Sequence, residues 1–153
     1  MADLRELYQE VIVDHSKSPR NFHELPDASH HAEGFNPLCG DRLTLYLKIH
    51  NDTIEDVSFV GAGCAISTSS ASLMTEQLKG KTIAEAEVIF RDFHHYLTQE
   101  SGTGVEASRL GKLSILGGVR DYPSRVKCAT LAWHTLHAAL QNQADPVSTE
   151  QED

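Results

Sequence analysis

The 153-residue sequence has no excess of positive charge, no long apolar run near its start, no even set of cysteines and no internal repeat. Each absence removes a class of protein. Thirteen basic residues stand against twenty-two acidic ones, and the net charge of −9 repels nucleic acid phosphates and anionic lipid surfaces. Nucleic acid is therefore not an expected partner. Residues 1–16 mix charged with apolar positions and carry no small-residue cleavage site, so neither a secretion signal nor a membrane span is expected and the expected compartment is cytoplasmic. Three cysteines cannot form a complete disulfide framework and read as reduced thiols available for chemistry. What is present, 40% hydrophobic and 23% charged residues at this length, suits one soluble globular domain.

Leu4, Leu7, Tyr8, Val11 and Ile12 follow helical spacing, with Asp3 and Glu6 near the positive end, and predict a helix over 3–16 that Pro19 stops. Leu43, Leu45, Leu47 and Ile49 alternate as a half-buried strand does, Asn51-Asp52 reads as a hairpin turn, and Ile54 to Val60 returns. Gly61-Ala62-Gly63 ends that strand before Cys64, and a helix of small residues follows to about Lys79. Thr82 and Glu85 form a capping box for a helix whose stripe is Ile83, Ala86, Phe90, Phe93 and Leu97. Five glycines make 98–121 read as mostly loop with a short helical turn. Asp121 is placed to cap a last helix with Pro123 at its second position and Val126, Ala129, Trp133, Leu136 and Leu140 on one face. This order predicts an α+β domain over 1–142, a small antiparallel sheet of about three strands packed against several helices, with 143–153 as a disordered acidic tail.

Each cysteine sits where the backbone changes character: Cys39 in a Pro-Leu-Cys-Gly-Asp loop, Cys64 at a strand-to-helix exit, Cys128 early in the final helix. A tetrahedral zinc needs four ligands and favours thiolate sulfur, and Asp41 adds a carboxylate two residues after Cys39. Cys39, Asp41, Cys64 and Cys128 make a complete set. Cysteines 25 and 64 residues apart are equally read as small buried hydrophobes, and spacing alone does not choose.

Other polar groups have plainer readings. His134 and His137 share a helix face and read as solvent-exposed, His94 and His95 point different ways, and His30-His31 fall in an edge segment. Ser67, Thr68, Ser69, Ser70 and Ser72 lack the glycine elbow and base of a hydroxyl nucleophile, and capping and close packing explain them.

The local sequences decide between the readings of the cysteines. Leu7-Tyr8 through Asp14-His15, Pro19-Arg20-Asn21, Asn36-Pro37-Leu38-Cys39-Gly40-Asp41, Gly61-Ala62-Gly63-Cys64-Ala65-Ile66-Ser67 and Arg125-Val126-Lys127-Cys128-Ala129 span nearly the whole chain. Together they resemble the iron–sulfur assembly family related to the N-terminal domain of NifU, which includes IscU and SufU. The resemblance implies a SufE/NifU-like α+β fold. It favours the SufU branch, because the IscU type places a histidine before the third cysteine and a Leu-Pro-Pro-Val-Lys motif upstream. This chain has Lys127 and Tyr122-Pro123-Ser124-Arg125-Val126 there. The long segment between Cys64 and Cys128, with Gly117-Gly118, also resembles the SufU insertion.

The resemblance implies a zinc-dependent sulfurtransferase that accepts persulfide sulfur on Cys39 from a cysteine desulfurase of the SufS type and passes it to the iron–sulfur assembly machinery. The alternatives are an IscU-type scaffold that builds a [2Fe–2S] cluster, or carries iron, on the same ligands, and a purely structural zinc domain. A zinc hydrolase fits worse, since its site keeps an open position and usually has histidine ligands. Three thiolates, one carboxylate and Zn²⁺ sum to about −2, which Arg125 or Lys127 can offset nearby. His15 and Arg20 match family positions and imply partner contact or loop anchoring.

Overall fold

The computed structural model describes residues 4–37, 40–98, 110–119, 122–141 and 147–148. The first helix, α1, spans Leu4–Lys17. Three strands follow: β1 at His30–Asn36, β2 at Asp41–His50 and β3 at Thr53–Ala62. Then come α2 at Ala65–Leu78, α3 at Ile83–Thr98, a 3₁₀ segment at Gly111–Val119, α4 at Pro123–Leu140 and a short β4 at Val147–Ser148.

The sheet order is β3-β2-β1-β4. β2 pairs antiparallel with both β1 and β3, which gives the expected three-stranded antiparallel sheet. Leu43, Leu45 and Leu47 turn into the core while Arg42 stays exposed, as a pleated strand with one covered face requires. Asn51 and Asp52 both take positive φ, 51° and 61°, the conformation of a two-residue hairpin turn whose twist matches its strands. α4 lies against β1 and β2, α2 against β3, and α1 and the 3₁₀ segment pack around α2.

α2 is covered on nearly every side, and its small residues make that closeness feasible. Its hydroxyls satisfy neighbouring backbone and side chains: Ser69 donates to Ile12 O, Ser70 to Ala129 O, and Trp133 Nε1 donates to Ser70 Oγ. The serine run is therefore packing, as expected. Trp133 is fully buried against Phe93, ring centroids 4.8 Å apart. The Thr82–Glu85 capping box is formed in both directions, at 3.0 and 3.1 Å.

Four expectations change. The helical turn expected in the glycine-rich stretch is longer than a short one, a nine-residue 3₁₀ segment whose Leu113, Leu116 and Val119 are buried, because apolar residues at three-residue steps line one face of a three-residue turn. Residues 99–109 lie outside the described residues. α4 begins with Pro123 in its first turn behind Tyr122 as N-cap, with no side-chain cap bond; Asp121 lies outside the described residues. Val147 and Ser148 pair in parallel with Gly34 and Phe35, so that part of the acidic segment takes up the otherwise open edge of β1. His134 and His137 are half-buried rather than solvent-exposed, because Phe90 of α3 packs between them: its ring lies 5.6 Å from His134 and 5.5 Å from His137.

Candidate metal centre

Three of the four expected ligands converge at one end of the sheet. Asp41 opens β2, with Gly40 before it at φ +74°, a left-handed turn that a side chain would strain. Asp41 is 1% exposed. Burying a carboxylate requires partners, and its Oδ1 accepts the backbone N–H of Cys64 at 2.7 Å. This bond fixes the carboxylate and leaves Oδ2 to accept from Cys64 Sγ at 3.8 Å. Gly63 makes the approach feasible, since a β-carbon there would stand 2.8 Å from Asp41 Oδ1.

Cys64 is the N-cap of α2, in extended conformation with φ −71° and ψ 168°. Its sulfur occupies the place a serine or aspartate oxygen usually takes, and accepts the N–H of Ser67 at 3.4 Å. The amides at this helix start face the sulfur, a place that suits a metal ligand of negative charge. Cys128 lies in the second turn of α4, 3% exposed, and its sulfur accepts from Asn36 Nδ2 at 3.5 Å. One ligand atom from each of Asp41, Cys64 and Cys128 lies within 4.8 Å of the others, a group that can hold a metal ion.

The donor set fits zinc or iron. Ligand bonds of about 2.0–2.3 Å place two donors of one tetrahedral ion about 3.5–3.8 Å apart, and the Asp41–Cys64 pair already has that separation. Cys39, the fourth expected ligand, lies outside the described residues, one position before Gly40 in the sequence.

The other expected site residues are elsewhere engaged. His15 is buried, with Nδ1 2.7 Å from Ser72 Oγ and Nε2 3.6 Å from Glu76 Oε1. Burial, helped by the Arg20 charge, holds its pKa below the usual imidazole range. Arg20 donates its backbone N–H to the same Ser72 hydroxyl and its guanidinium to Asp14 at 2.6 Å. Both residues anchor the loop after α1. Arg125 is exposed and lies over the Tyr122 ring at 4.7 Å; Lys127 is half-buried beside Cys128. Two contributors went unread in the sequence, Asn36 and Gly63, although both stand inside the stretches that carry the resemblance.

Residues 7–129 match the profile of the NifU-like N terminal domain. The chain belongs to that family. Among relatives of this NifU-like chain, the zinc-dependent sulfurtransferase SufU of Bacillus subtilis is 41% identical over 143 residues, 93% of this chain and 95% of that protein. The iron–sulfur cluster assembly scaffold protein IscU of Streptococcus pyogenes is 37% identical over 145 residues, 95% of this chain and 89% of that protein. Among solved structures, the SUF-system protein FiSufU of Fervidobacterium islandicum superposes with a TM-score of 0.81 at 38% identity, covering 89% of this chain and 98% of that one. The family is one of iron–sulfur cluster assembly. Among the described residues, no helix is long and apolar enough to cross a membrane.

Proposed function

We propose that this NifU-like chain is a zinc-dependent sulfur acceptor working with a cysteine desulfurase. The observation that carries this reading is the convergence of Asp41, Cys64 and Cys128, with Cys39 two positions before Asp41 in the sequence. A carboxylate and two thiols brought this close, one thiol donating to the carboxylate, become a ligand set for a cation once the thiols lose their protons. Cys39, Asp41, Cys64 and Cys128 would hold the zinc, which when bound supplies a redox-inert positive charge that keeps sulfur deprotonated.

The chain's own residues divide the work. Cys64 and Cys128 stand on helices and act as anchors; Asp41, fixed through Oδ1, offers one oxygen. Cys39, in the Pro-Leu-Cys-Gly-Asp sequence, takes the sulfur. Its thiolate attacks the outer sulfur of the donor enzyme's persulfide; a sulfur–sulfur bond forms on Cys39, the donor's bond breaks, and the donor cysteine leaves as a thiolate. No outside oxidant is consumed. The persulfide on Cys39 then passes to the cluster-assembly machinery, and a SufS-type desulfurase, operating in the cytoplasm, fits as donor.

A scaffold that assembles a [2Fe–2S] cluster on the same ligands is the second reading, favoured by the relatives named IscU. Metal analysis of freshly isolated protein together with a desulfurase assay separates the two. About one zinc per chain and stimulated turnover is the expected result. A stable iron–sulfur chromophore with no stimulation would replace the acceptor by the scaffold.

A further inference from the structure

Asn36 closes β1 opposite Asp41 in the strand register, and it is completely buried. A buried primary amide at a sheet end is expensive unless its hydrogen-bonding groups are used. Asn36 engages two ligand-bearing segments. Its backbone carbonyl accepts the N–H of Gly40, the residue before Asp41, at 2.9 Å. Its side-chain Nδ2 donates to Cys128 Sγ at 3.5 Å, across 92 residues of sequence. A thiolate only accepts, so the amide nitrogen and not its oxygen must face the sulfur.

The two anchor cysteines are then alike in one respect. Cys64 Sγ accepts an N–H from the backbone of Ser67, and Cys128 Sγ accepts one from the side chain of Asn36. An N–H aimed at a metal-bound thiolate fixes the direction of its lone pairs and withdraws electron density from the sulfur, which makes it a poorer nucleophile. We propose that Asn36 is a positioning residue of the metal centre, whose side-chain amide bonds to the Cys128 thiolate and keeps that sulfur on the metal. It thereby helps to direct incoming sulfur to Cys39. This inference rests on the metal-centre reading above.

The test uses the intact wild-type chain loaded with ¹¹³Cd in place of zinc. Through-bond coupling from cadmium is expected at the β-protons of Cys128 and, across the N–H···S bond, at the side-chain amide protons of Asn36. Coupling at Cys128 with none at an assigned Asn36 amide would overturn the proposal while the metal centre stood. No coupling at Cys128 would overturn the metal centre itself, and the proposal with it. As a second measurement, Asn36→Ala and Asn36→Asp, which remove the donor, should release zinc to a chelator about 10-fold faster or more. In their cobalt(II) forms the sulfur-to-metal charge-transfer band should move to longer wavelength. Variants that melt earlier yet keep the wild-type band would reduce Asn36 to packing and overturn the proposal.

Discussion

Two buried polar clusters divide the molecule, and they are built on opposite principles. Around Ser72, His15 Nδ1 and the Arg20 backbone N–H meet one hydroxyl, Thr75 Oγ1 donates to Ser72 O, and Asn21 Nδ2 donates to Thr75 Oγ1. Donors there face acceptors, so the cluster is complete within the protein and locks the loop after α1 to α2. Around Asp41, a carboxylate and two sulfurs turn toward one another. Each has an N–H behind it, from Cys64, Ser67 or Asn36, and between them the Cys64 thiol donates to Asp41 Oδ2, a proton that a bound cation would replace. A closed network is a fastener, whereas a converging set of like donors is a socket for a cation.

The sharpest break in this comparison comes from removing the cation. Cys64→Ala, Cys128→Ala and the chelated wild type should each lose zinc and melt lower by roughly 10 °C, since binding energy of several kcal/mol is folding energy for such a site. Calorimetry with metal analysis checks this, and unchanged melting after complete metal removal would contradict an integral site. The fastener should behave in the converse manner. His15→Ala should lose about 2–4 kcal/mol from a cavity and a stranded hydroxyl while its zinc content stays at the wild-type level.

The same histidine gives the pH dependence a sign. Because His15 is held below its ordinary 6.5, the unfolded chain binds a proton first as pH falls. The stability conferred by neutral His15 is therefore present above about pH 6.5 and is lost as pH falls through the lower folded pKa. Denaturant melts at pH 7.5 and 5.5 should show that fall in wild type and a smaller one in His15→Gln. A smaller structural effect is expected at Asp41→Ala: the fold persists, but zinc affinity falls at least about 10-fold, as competition with a chromogenic chelator would report. Smallest of all, Arg20→Ala removes an exposed ion pair with Asp14 and should leave Tm unresolved from wild type, because the backbone N–H that meets Ser72 remains.

The parts of this fold that were legible are those written in neighbouring residues. Asn51-Asp52 announces its hairpin, Thr82 and Glu85 their capping box, and Leu43, Leu45 and Leu47 a one-sided strand, because each signal lies within a few positions. The helical residues of the 3₁₀ segment were hidden by glycines at 111, 117 and 118, which weigh against helix locally while Leu113, Leu116 and Val119 are held by tertiary burial. At the site, Asp41, Cys64 and Cys128, which the structure brings together, stand out through motif resemblance, since spacing does not separate ligands from buried hydrophobes; Cys39 lies outside the described residues. The Asn36–Cys128 bond had no sequence signal of its own: nothing in an asparagine names a partner 92 residues away. The half-buried state of His134 and His137 depended likewise on Phe90 arriving from another helix.

The central claim is that Cys39 takes the sulfur while Cys64 and Cys128 stay as anchors. The direct measurement is mass spectrometry of the zinc-loaded chain after brief incubation with a SufS-type cysteine desulfurase and free cysteine, with alkylation to trap each thiol. The account predicts one added sulfur atom on the peptide that contains Cys39, none on those of Cys64 and Cys128, and loss of desulfurase stimulation in Cys39→Ser. Added sulfur on Cys64 or Cys128, with Cys39→Ser still stimulating the enzyme, would contradict it.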